Sequence, residues 1–132
     1  MDEISVRIEV EINPTEDSEK VKRAVENIFG RVNFQIKPQQ RGSLLIAEIK
    51  GLDGLSKLQN LLRRERIRAA ARAVLFEGLH GKSVIFYLNK QAAFVGHVSF
   101  SEPVGESPLG PIKIEITCDD PRELIDWLTK IT

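Results

Sequence analysis

With 132 residues, 42% hydrophobic and 29% charged, the chain is long enough to bury a core without disulfides or metals and too apolar to stay disordered. No apolar run approaches the roughly 20 residues of a membrane span, and the one cysteine, Cys118, cannot form an internal disulfide, so the expectation is a cytoplasmic protein with no membrane contact. Nineteen Lys and Arg balance nineteen Asp and Glu, which excludes a uniformly basic chain that coats nucleic acid indiscriminately, and the acidic start Met1-Asp2-Glu3 lacks the pattern of a secretory leader.

Ile4, Val6, Ile8, Val10 and Ile12 alternate with polar residues, the period of a strand with one wet face, and Asn13-Pro14 ends it. Thr15 is placed to cap a helix over about residues 16–29, with Val21, Ala24, Val25 and Ile28 as its apolar stripe and Gly30 as its stop. Val32, Phe34 and Ile36 form one arm of a hairpin and Leu44 to Lys50 the other, joined by the polar turn 39–42. Asp53 is the expected cap of a long helical region from Leu55 to about Leu79. Its two leucine- and alanine-lined stripes differ in phase, which predicts a break near Glu65-Arg66-Ile67. Val84–Leu88 reads as a buried strand, Asn89-Lys90-Gln91 as a polar turn and Phe94–Phe100 as a further strand. Residues 101–111, with three prolines and two glycines, read as a long loop. Ile112, Ile114, Ile116 and Cys118 mark the last strand, and Asp120-Pro121-Arg122-Glu123 a capping box that opens a final amphipathic helix.

Strands, hairpins and helices without a repeating strand–helix–strand rhythm predict one α+β domain over residues 1–132. The expected architecture has two layers: a mostly antiparallel sheet of five to six strands, with helices on one face.

Chemistry is sparse. Gly78-Leu79-His80-Gly81-Lys82-Ser83 lacks the earlier glycine of a phosphate loop, since Phe76 stands there, and it leaves a helix instead of entering one. His80 and His97 with Cys118 do not make a zinc-ligand pattern. Glu9 and Glu11 share a strand face, where outward charge ordinarily keeps a strand soluble. No catalytic, cofactor or metal residue is therefore assigned, and the expectation is a protein that is not an enzyme.

The charge distribution departs from this plain picture. Residues 1–53 carry 8 basic and 10 acidic side chains, residues 54–100 carry 8 and 2, and residues 101–132 carry 3 and 7. Half of residues 63–72 are arginine. On one helix Arg64, Arg68 and Arg72 would project within a sector of roughly 80°, a row of guanidiniums suited to phosphates. The same arginines could equally pair with carboxylates elsewhere in the fold.

Three runs carry a resemblance: Asn13-Pro14-Thr15-Glu16-Asp17 with Glu26-Asn27-Ile28-Phe29, then Phe86 through Ala93 (Phe-Tyr-Leu-Asn-Lys-Gln-Ala-Ala), then Ser107-Pro108-Leu109-Gly110-Pro111-Ile112. With these the chain resembles an archaeal uncharacterised protein family of short proteins over nearly its whole length. The resemblance implies a fold similar to the large-subunit ribosomal protein that binds 5S rRNA, a homodimer, and an RNA-binding role without catalytic residues. It also implies a basic residue near Gly96-His97-Val98; the histidine that stands there departs from this, weakens a constitutive phosphate contact and points to a pH-dependent one.

Together these readings predict a non-catalytic binder of structured or ribosomal RNA. Its backbone contacts would come from Arg63, Arg64, Arg68 and Arg72, with Lys82 and Lys90 at the sheet's ends. A homodimeric protein-interaction module and an enzyme of unknown class are the alternatives.

Overall fold

The computed structural model describes residues 3–102 and 110–130. The alternating β1 (Ser5–Ile12) lies near the middle of a six-stranded sheet, flanked by β3 (Ser43–Lys50) and β6 (Pro111–Thr117). β2 (Phe34–Pro38) forms one edge, and β5 (Ser83–Asn89) with the two-residue β4 (Leu79–His80) the other. Every pairing is antiparallel. The strand alternation puts Val6, Ile8, Val10, Leu45, Ala47, Val84, Phe86, Ile112, Ile114 and Ile116 on one buried face.

Against that face pack α1 (Ser18–Phe29), α2 (Ser56–Arg64), α3 (Arg68–Glu77) and α5 (Pro121–Leu128) through the leucines, isoleucines and valines of their apolar stripes. The opposite sheet face carries Arg7, Glu9, Glu48, Lys113 and Glu115, as wet-faced alternation requires. The α+β architecture is thus the expected one, with the helical region broken at Glu65–Ile67. Asp120 caps α5 by accepting from the Glu123 N–H.

Four local expectations are corrected. Asp17, not Thr15, caps α1 by accepting from the Glu19 N–H; the Glu16 carboxylate has already turned back onto the Asn13 N–H at 2.9 Å, which delays the helix. Asp53 caps nothing with its side chain and lies in a 3-10 turn, Leu52–Leu55, that runs into α2. Asn89-Lys90-Gln91 is no simple turn: Asn89 accepts from the Ala92 N–H and starts a short helix, α4 (Lys90–Phe94).

Phe94–Phe100 is not a strand. The chain stays coiled through His97 N–H to Ala92 O at 2.9 Å, Gly96 takes a left-handed φ of 83°, and a single bridge joins Leu88 to Phe100. The expected loop falls largely on residues 103–109, outside the described residues.

Candidate nucleic-acid interface

The arginine-rich segment folds into a corner. α2 ends in a Schellman motif: the Ile67 N–H reaches Leu62 O and the Arg66 N–H reaches Arg63 O, both at 3.2 Å. That motif needs a left-handed residue, and here it is Arg66, with φ 58°. A non-glycine residue in this conformation costs about 1–2 kcal/mol. The turn also breaks the helical phase, so Arg64, Arg68 and Arg72 do not form one row on one helix.

The structure divides the predicted residues. Arg63 and Arg64, in the last turn of α2, and Arg66 at the corner are exposed, and none of their side chains has an acidic or hydrogen-bonding partner among the described residues. The first two also complement the negative end of the helix dipole.

Arg68 and Arg72 turn instead toward α5. Arg68 Nη1 donates to Lys130 O at 2.7 Å, while Arg72 pairs with Asp126 and lies over the Phe76 ring, 4.9 Å from its centroid. Lys82 is exposed and 3.9 Å from Asp119, but it sits just before the far end of β5, about 24 Å from Asn89 at 3.4 Å per residue.

Lys90 is corrected outright as a phosphate contact. It is 2% exposed, and its ammonium donates to Glu11 O at 2.7 Å and to the Glu16 carboxylate at 3.0 and 3.3 Å. Burial works to raise the Glu16 carboxyl, but the Asn13 backbone N–H, the Lys90 ammonium and the Asn13 amide together hold it below the usual carboxylate range. Two of the motif runs therefore meet in a buried ion pair that fixes the start of α1 against α4.

The predicted phosphate contacts left out Arg66 and the outer face of α1, and the expectation at His97 falls on a segment that the fold brings to the corner. The Glu65 carboxylate accepts from the Val98 N–H at 3.3 Å and lies 3.5 Å from His97 Nδ1, so the segment after α4 is tied to the arginine corner. The same segment is tied to α1, because Asn27 Nδ2 donates to Ala93 O and Phe94 O and Lys20 Nζ lies 5.9 Å from the Phe94 ring centroid. Lys20, Arg23 and Asn27 fall on one face of α1 at i, i+3 and i+7. The run of arginines in the sequence could have pointed to Arg66; nothing local signals Lys20 or Arg23.

Other chemistry does not assemble. Among the described residues no three of His, Cys, Asp and Glu come together to hold a metal ion, and no helix is long and apolar enough to cross a membrane. Cys118 is buried, and burial pushes its thiol up, away from the reactive thiolate.

Such a fold defines a two-layer α+β protein with a sheet face left open by the described residues and a basic corner on its helical layer. A family model described as RNA binding matches residues 5–118. A UPF0201 protein of Sulfurisphaera tokodaii is 47% identical over 125 residues, covering 95% of this chain and 86% of its own length. One from Pyrobaculum calidifontis is 45% identical over 124 residues, covering 93% and 87%. The crystal structure of the UPF0201 protein from Methanococcus jannaschii matches with a TM-score of 0.85 at 34% identity, covering 95% of this chain and 98% of that one. The chain belongs to this UPF0201 family.

Proposed function

We propose that the protein is a non-catalytic RNA-binding protein whose phosphate contacts are made by Arg63, Arg64 and Arg66 at the α2–α3 corner. One observation carries the reading: Arg66 stands, unpaired among the described residues, at the left-handed position of a Schellman motif where glycine is the unstrained residue. Backbone strain of this kind clusters at functional sites. Membership of a family matched by an RNA-binding model supports the class of partner. Guanidiniums suit phosphates because they are planar, always charged and bidentate.

The test is filter binding to a structured RNA over a salt series. Three neutralised phosphates give a slope of log affinity against log salt of about −2 on single-stranded segments. Arg63→Glu/Arg64→Glu should flatten it and abolish binding at about 100 μM protein. A wild-type protein with a flat salt response would falsify the reading.

A second reading, a homodimer, is favoured by the sheet face that no helix covers among the described residues. There Arg7 bridges Glu9 and Glu48 at 2.8 Å each, beside Ile46, only 4% exposed, and half-buried Tyr87 and Ile85. Light scattering at several concentrations, with Tyr87→Glu as the disrupting variant, checks it independently of RNA.

A further inference from the structure

We infer that the tip Val95-Gly96-His97 seats an unpaired base of single-stranded RNA, between phosphates held by α1 on one side and the arginine corner on the other. This rests on the RNA-binding reading above and names the kind of RNA that the site takes.

The tip has the surface that a base needs. Val95 is 70% exposed, more than Ile36 at 43%, the other large exposed apolar side chain among the described residues. The His97 side chain is 64% exposed, and its Nδ1 edge lies toward Glu65. Gly96 has no side chain, and a Cβ built there would meet nothing within 4 Å, so the space beside the backbone between Val95 and His97 is open. An exposed imidazole and aliphatic chain beside open backbone suit the π-face of any base, which makes the contact tolerant of sequence.

The tip is also held from both ends. Gly96 N–H to Ala93 O at 3.0 Å and His97 N–H to Ala92 O at 2.9 Å close its backbone. Asn27 anchors the end of α4, and Glu65 anchors Val98. A preformed surface loses little freedom on binding.

Its flanks are cationic. Lys20 lies against Phe94 at the start of the tip, and Arg23, unpaired among the described residues, is one turn along the same face of α1. Arg63, Arg64 and Arg66 neighbour Glu65 in the chain, and Glu65 holds Val98 at the other end of the tip. Phe94 and Val98, where the two flanks attach, lie four steps apart in the chain and so at most about 14 Å, and one strand can lay phosphates on both flanks while a base between them meets the tip. A duplex keeps its bases stacked inside and offers the tip none.

The experiment compares a fluorescein-labelled single-stranded RNA with a duplex of equal length by anisotropy, using the full chain. Val95→Ser/His97→Asn, which removes the ring but keeps a donor for Glu65, should weaken single-strand binding by about tenfold, the effect of losing one stacked base, and leave duplex affinity and both salt slopes unchanged. Both side chains are exposed, so circular dichroism should report an intact fold. Equal weakening on both RNAs, or none on the single strand, overturns the inference and leaves the RNA-binding reading standing. A wild-type chain that binds neither RNA overturns both.

Discussion

Arg66→Gly should make the protein more stable and a poorer RNA binder. The left-handed backbone at Arg66 costs about 1–2 kcal/mol that glycine does not pay. Glycine returns about 0.5–1 kcal/mol of that by loosening the unfolded chain. Its side chain gives up no partner among the described residues. The net gain is about 1 kcal/mol, or a rise in Tm of about 4 °C for a domain of this size. RNA affinity should fall about fivefold, near 1 kcal/mol for one exposed charge-assisted contact, and the salt slope should flatten by about 0.7.

Arg66→Ala separates the two effects. Alanine keeps the strain and loses the charge, so its Tm should stay near that of the wild type while its affinity matches the glycine variant. Thermal unfolding by circular dichroism and filter binding read both quantities. An Arg66→Gly protein that is no more stable, or that binds RNA as tightly as wild type, refutes the claim that strain is kept at this corner for the side chain.

Other variants test the residues that the fold takes out of the site. Lys90→Met should cost about 3 kcal/mol in urea unfolding, because it strands a buried carboxylate, and Lys90→Met/Glu16→Gln should recover much of that. Since the folded Glu16 carboxyl lies below its unfolded value of about 4.3, its contribution is complete above that pH and lost as pH falls through the folded value. Glu16→Gln should therefore remove part of the acid-induced loss of stability below pH ~4. Asp126→Asn should change stability by less than about 1 kcal/mol, since the pair with Arg72 is exposed, and should leave RNA binding within about twofold of wild type. Gly78→Ala should lower Tm sharply, because a Cβ there would lie 1.9 Å from Ile85 O on β5, backbone that cannot step aside.

What was legible in the sequence was what is decided locally. Period-two alternation gave β1 and β6, the change of stripe phase gave the break between α2 and α3, and the Asp120 box gave the start of α5. The misreadings have tertiary causes. Phe94, Gly96, Val98 and Phe100 alternate like a strand, but the Asn27 amide, 66 residues from Ala93, holds the preceding carbonyls in a coil. Lys90 looks like turn polarity until Glu16, 74 residues away, closes over it. Arg68 and Arg72 look available until α5 arrives with Asp126 and the Lys130 carbonyl. Arg66 was hidden for the opposite reason: left-handed turns are read from glycine, and there is none.

The overall balance of charge therefore conceals a selective pairing. The acidic C-terminal part reaches Arg72 through Asp126 and approaches Lys82 through Asp119, and Glu16 takes Lys90. Glu65 is the acid placed to neutralise Arg63, Arg64 and Arg66, since it lies between them in the chain. It does not pair with them. Its carboxylate turns inward to the Val98 N–H and His97, where it is 18% exposed. A carboxylate that fixes a neighbouring loop cannot also sit over adjacent guanidiniums, so the contact that holds the tip in place is the same one that leaves the corner basic. That coupling is the physical reason for reading the corner and the tip as one surface.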